Sequence, residues 1–205
     1  GNDGDGYDRK FVVGDTDPDA KLSCWDDLHQ YTLPFYDLII SDRYILKCDE
    51  HTFRNNFAKF LEVMHKGRTV KTNIVLLTQL QDQRFGWTYE KIRSIVSEVT
   101  REATGKAANF TLVWSRDPDI IKHDRNIITN YQWFFSGNSL IYFGANNSIL
   151  ANGCTLVVSS LASKNNRKCA EGLLEDMQEG IDKALKNNSD NIQGDKKSNF
   201  LNFNN

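Results

Sequence analysis

Between residues 37 and 114 the chain alternates strand, helix, strand, helix, strand with short connections, and no other feature limits the choice of fold so tightly. Asp37-Leu38-Ile39-Ile40-Ser41 is a short apolar run behind Pro34, the pattern of a buried strand. Residues 52–66 then set Phe53, Phe57, Phe60, Leu61 and Met64 on one face at the helical period. Thr52 is positioned to cap this helix, and His65, Lys66 and Gly67 supply a basic last turn and a stop. Asn73-Ile74-Val75-Leu76-Leu77-Thr78 is the second strand. A second helix starts at Thr88, lines Tyr89, Ile92, Ile95, Val96, Val99 and Ala103 along one side, and ends at Gly105. Asn109-Phe110-Thr111-Leu112-Val113-Trp114 is the third strand. Strands joined through helices run parallel, with right-handed crossovers. The predicted class is α/β, a mostly parallel sheet flanked by helices.

The last third reads differently. Strand-like pieces at 120–129, 133–136, 140–143 and 155–159 are separated by Asn and Gly. Residues 168–186 form a closing helix with Cys169, Leu173, Leu174, Met177, Ile181 and Leu185 on its apolar side. Residues 1–20 read as a flexible lead and 187–205 as a flexible Asn-rich tail, leaving one domain over 21–186. Trp25, Tyr31, Phe35 and Tyr36 form an aromatic lead-in expected to pack on the sheet. No internal repeat is present, so two copies of one unit within the chain are not expected.

A chain of 205 residues suffices for one domain with a substantial core. Its longest apolar runs, such as Leu140-Ile141-Tyr142-Phe143, are far shorter than the about 20 residues a membrane-spanning helix needs. Twenty-five basic residues against 27 acidic ones give a net charge of -2, which supplies no general electrostatic grip on nucleic acid. A polyanion would have to be held by a local site. Cys24, Cys48, Cys154 and Cys169 are scattered without metal-ligand spacing and read as buried, reduced thiols of a cytoplasmic protein. Residues 1–10 are glycine-rich and acidic, unlike a secretory signal.

The stretch that can carry chemistry is Lys122-His123-Asp124-Arg125-Asn126-Ile127-Ile128-Thr129-Asn130. Alternate residues of a strand share a face, so His123 and Arg125 project together while Asp124 points away. A guanidinium binds two phosphate oxygens as a fork, and an imidazole beside it can attack phosphorus or donate a proton.

The continuation of this stretch, His123-x-Arg125, four residues, Asn130, six residues, Gly137, resembles the signature of the phospholipase D superfamily. That signature reads His-x-Lys, four residues, Asp, six residues, Gly. The first strand ending in Ser41-Asp42-Arg43-Tyr44 and the alternation that follows also look like a phospholipase D-like half-domain. His123-Asp124-Arg125 before an apolar strand is similar to degenerate members, such as the phospholipase D-like C-terminal domain of MIT-domain proteins. The resemblance covers roughly residues 35–185 and implies that His123, Arg125, Asn130 and Gly137, with backbone amides near Gly137, contact a phosphate group. No metal and no cofactor is implied.

Active members bring two motifs together, one histidine becoming a phosphohistidine and the other protonating the leaving oxygen. A single motif here implies a homodimer. Arg125 replaces a compact ammonium by a planar fork, and Asn130 replaces a carboxylate by an amide that stabilises an imidazolium less well. Asn138 and Leu140 depart from the small and polar residues of the phosphate pocket. The resemblance therefore implies a domain that binds phosphate groups of an anionic lipid or a nucleic acid with little or no catalysis. Its rivals are a metal-independent phosphodiesterase with His123 as nucleophile, active as a homodimer, and a non-catalytic structural or interaction module.

Other polar residues have plainer readings. His29, His51 and His65 lack partners at metal spacing, and His65 suits the negative end of its helix. Asp117 and Asp119 bracket Pro118 in a solvated turn, and Asp42 and Arg43 form an ion pair or a solvent-facing loop beyond the first strand. Tyr131, Trp133, Phe134, Phe135, Tyr142 and Phe143 are expected in the core or a dimer interface.

Overall fold

The computed structural model describes residues 8–80 and 83–203. The three predicted strands are β3 (Asp37–Ser41), β4 (Asn73–Gln79) and β5 (Asn109–Ser115), to be numbered after β1 (Arg9–Val13) and β2 (Lys21–Leu22). They lie side by side and parallel, with Leu38 opposite Ile74 and Ile74 opposite Phe110. Between β3 and β4 the chain passes through α1 (Glu50–Phe53), a π-helical turn (Arg54–Ala58) and α2 (Lys59–His65). Between β4 and β5 it passes through α3 (Tyr89–Thr104). Because the strands step in one direction, right-handed crossovers put these helices on one face of the sheet.

Beyond β5 the expectation of a mostly parallel sheet fails. β6 (Arg125–Thr129), β7 (Gln132–Ser136) and β8 (Thr155–Ser160) continue from β3 in antiparallel register, and β1 adds antiparallel to β8. The nine strands form one mixed sheet, β2-β1-β8-β7-β6-β3-β4-β5-β9, with β9 (Ile192–Gly194) antiparallel on β5. Five of its eight pairings are antiparallel and three are parallel. For β6 and β7 the cause is connection length. Asn130 and Tyr131 alone link β6 to β7, and a parallel return needs about a dozen residues or more.

Two cores result. Leu38, Ile40, Leu76, Leu112, Ile127 and Phe134 face Phe53, Phe57, Phe60, Ile92 and Ile95 of the first helical layer. Ile39, Val75, Val113 and Ile128 face α4 (Lys164–Asn187) and the C-terminal segment. Local signals explain most helix ends. The Thr88 hydroxyl accepts from the Lys91 amide, and Gly105 ends α3 in the left-handed conformation at φ 81°. The first helix starts earlier than expected, because Asp49 rather than Thr52 is its cap. α4 begins at a Ser163 cap, and it buries Ala170, Met177, Ile181 and Ala184 while Cys169 faces solvent. Residues 140–143 form no strand, although Leu140, Tyr142 and Phe143 are all buried. No helix among the described residues is long and apolar enough to cross a membrane.

Both expected flexible ends carry fold elements. β1 buries Phe11 and Val13, so the lead includes a sheet strand. After β9, the Asn199 amide and side-chain amide donate to the Asp37 carboxylate at 3.0 and 2.7 Å. Gln178 on α4 accepts from the Asn202 amide at 2.8 Å and donates to its carbonyl at 2.8 Å. Leu201 and Phe203 are buried in the second core. Buried apolar side chains contribute roughly 1.5–3 kcal/mol each, so deleting residues 188–205, with Ile192, Leu201 and Phe203, should cost several kcal/mol. Urea denaturation would measure this; an unchanged midpoint would show that the segment does not support the fold.

Candidate functional site

The site lies where β3 ends and β6 begins. These strands are antiparallel with Ser41 opposite Asn126, so the next residues, Asp42 and Arg125, are neighbours at the sheet end. On its other side Arg125 is opposite Ser136, the last residue of β7. Arg125 continues the face of Ile127, which carries the first core. His123 stands two residues before the strand and is exposed, its ring edge-on to that of Tyr44 with centroids 6.2 Å apart. His123 and Arg125 are thus at one end of the sheet, each against residues that follow β3.

Arg125 is only weakly engaged by the protein. Its Nη1 donates to the Gly137 carbonyl at 3.3 Å, while Nε is buried without a hydrogen-bond partner. Among the described residues, no ion pair involves it. A partly buried guanidinium in this state still has donors to offer a ligand. Gly137 contributes differently from the expectation. Its carbonyl meets Arg125, but its N–H donates to the Thr155 carbonyl at 2.9 Å and is spent on pairing with β8. The nearby Leu140 N–H is spent on Asp42.

Asn130 does not join this group. It sits five residues along β6, roughly 17 Å away at the other end of the strand. There its Oδ1 accepts from the Tyr36 and Asp37 amides at 2.7 and 2.9 Å, and its Nδ2 donates to the Asp37 carboxylate at 3.3 Å. It ties the loop before β3 to the β6–β7 turn. It also borders a cavity of about 520 Å³ with Leu33, Ile128, Tyr131, Leu161 and Phe200, which is remote from His123 and Arg125.

Sequence reasoning missed the depth of Asp42. Rather than facing solvent or pairing with Arg43, it is fully buried and accepts from the Tyr44 amide, the Ser139 hydroxyl and the Leu140 amide. Burial pushes its carboxyl up, against the opposing pull of those hydrogen bonds and of the Arg125 charge. Arg43 turns the other way, donating to the Ile121 carbonyl at 2.6 Å and the Pro118 carbonyl at 2.8 Å. It thereby anchors the loop that presents His123. Asp117 and Asp119 shape that loop through an Asx turn, in which Asp117 accepts from the Asp119 amide at 2.9 Å. Lys47, Arg116 and Lys122 are exposed in the connections at this same end and add positive charge.

Other candidates are structural. All four cysteines are free, Cys48 and Cys154 buried and Cys169 exposed, and burial pushes the Cys48 thiol up to about 12, which removes it as a nucleophile. His65 is not a solvated helix cap. Its Nδ1–H donates to the Leu61 carbonyl at 2.6 Å and its Nε2 accepts from the Thr72 hydroxyl at 2.7 Å. Among the described residues, no group of three or more His, Cys, Asp or Glu side chains is placed to hold a metal ion. Phe134, Tyr142 and Phe143 are core, whereas Tyr131 and Phe135 are exposed. No protein-family model matches the chain, and no curated protein does.

Proposed function

We propose that this chain is a phospholipase D-like domain with a degenerate motif, binding a phosphate group through Arg125 and His123 with little or no catalysis. The observation that supports the reading best is Arg125: a partly buried guanidinium with one 3.3 Å hydrogen bond, an unpartnered Nε and, among the described residues, no ion pair. The outer Nη–H groups of this guanidinium are claimed only by that one long hydrogen bond, which leaves donors for an oxyanion ligand. His123 stands beside Tyr44 at the same end, exposed and able to donate from either ring nitrogen when protonated. Asn130 has no part in the proposal. A phosphate on an anionic lipid or on a nucleic-acid backbone presents the same oxygens to this pair. A homodimer belongs to the proposal, since the phospholipase D-like signature works in pairs and this chain carries one copy.

Arg125→Ala is expected to weaken binding of inorganic phosphate at least about tenfold, the loss of one charge-assisted hydrogen-bonding group, with the thermal midpoint little changed. Binding equal to that of the unsubstituted chain would remove the site. Vesicles containing phosphatidylserine and single-stranded DNA, titrated in parallel, separate the two phosphate sources. Turnover of a chromogenic phosphodiester with label trapped on His123 would replace the binding reading by the enzymatic one.

A further inference from the structure

We propose that Asp42 is a positioning residue, which clamps the turn over residues 137–140 so that the Arg125 guanidinium is aimed at its oxyanion. The inference rests on the reading of Arg125 as an anion-binding group. Asp42 is the first residue beyond β3, and its carboxylate is fully buried. Two of its three donors come from that one turn: the Ser139 hydroxyl at 2.8 Å from both carboxylate oxygens, and the Leu140 amide at 2.7 Å. The third is the Tyr44 amide at 3.1 Å. At the other end of the turn, the Gly137 carbonyl makes the hydrogen bond to Arg125, and the Ser136 hydroxyl donates to the Asn138 carbonyl between them. The turn is therefore held at one end by Asp42 and touches the guanidinium with the other.

A merely electrostatic role fits less well. A buried carboxylate is expensive to desolvate, and direct pairing with Arg125 would be the usual compensation. The two are cross-strand neighbours, yet no ion pair joins them, and the Asp42 oxygens are occupied by the turn. The two roles also predict opposite signs. On charge alone, removing an anionic group beside Arg125 should tighten the binding of another anion. Removing a clamp should loosen it.

The test is calorimetric titration of the full chain with inorganic phosphate, alongside NMR observation of the Arg125 Nε–H. Asp42→Ala should bind about fivefold more weakly and Ser139→Ala about threefold, roughly the loss of one net hydrogen bond's ordering effect. Both should shift or broaden the Nε–H signal while the buried Trp25 and Trp87 indole signals stay in place. Asp42→Asn keeps an acceptor oxygen for the turn and should recover affinity to within about twofold. If Asp42→Ala does not fold, Ser139→Ala decides alone. Folded Asp42→Ala or Ser139→Ala protein that binds as tightly as the original, or more tightly, would overturn the positioning role. If Arg125→Ala also keeps its affinity, the anion-binding reading itself fails; if Arg125→Ala alone loses affinity, only the role of Asp42 does.

Discussion

Asn56→Leu is expected to cost about 4 kcal/mol or more, a large part of the stability of a domain this size. Asn56 lies in the π-helical turn between α1 and α2 and is fully buried. Its Oδ1 accepts from the Trp25 indole at 3.2 Å and from the Tyr142 and Phe143 amides, both at 2.9 Å. Its Nδ2 donates to the Thr52 carbonyl at 2.9 Å and the Phe143 carbonyl at 2.8 Å. One amide thus satisfies three backbone groups of residues 142–143, which outside an isolated bridge to Ile149 have no strand to pair with. Leucine has the same branched shape and is slightly bulkier, so the loss would come from stranded donors and acceptors, each costing about 1–3 kcal/mol, and not from a cavity. Urea denaturation monitored by tryptophan fluorescence would measure it. A midpoint close to that of the original would mean that water or another group replaces the amide.

The second large effect is a loss of stability in mild acid, centred on His65. Burial pushes its imidazole down to about 4, helped by the Arg68 charge and opposed by the hydrogen bond to Leu61. In the unfolded chain an imidazole takes up its proton near 6.5. Between about 6.5 and about 4 the unfolded state therefore binds more protons than the folded one. The neutral ring's contribution is fully present above 6.5 and is lost as pH falls through that window, roughly 3 kcal/mol in all. Asp42 acts in the opposite sense. Its raised carboxyl favours the folded state at low pH, and that contribution fades as pH rises through its folded value. Comparing urea midpoints from pH 7 to pH 4 for the original chain and for His65→Gln isolates the histidine. Parallel curves for the two would show that His65 does not carry the acid sensitivity.

Much of this architecture is legible along the chain, and the failures share a cause. The crossovers through α1, α2 and α3 are readable because apolar period, cap and terminating glycine lie within one element, as Thr88 and Gly105 show. The opposed directions of β6 and β7 were open to the same kind of reading, since the two-residue link after Thr129 forbids a parallel return. The strand period likewise implies that a residue five places from Arg125 lies at the other end of β6, whatever motif spacing suggests for Asn130. The C-terminal segment misleads for a different reason. Its Asn-rich composition hides Ile192, Leu201 and Phe203, three anchors that become visible only against α4 and β5.

The sequence by itself determined the α/β crossover unit, the helices with their buried faces, and the short apolar strand that Arg125 opens, whereas His123, expected on a face of that strand, lies in the bend before it. These depend on neighbours within a few residues, where periodicity and capping act directly. Only the tertiary structure decided that Asp42 is buried, that Asn56 bonds residues 86 and 87 positions away, and that the Gly137 carbonyl meets Arg125. Polar residues such as these look solvated in a linear reading, because the donors that make their burial affordable come from distant parts of the chain.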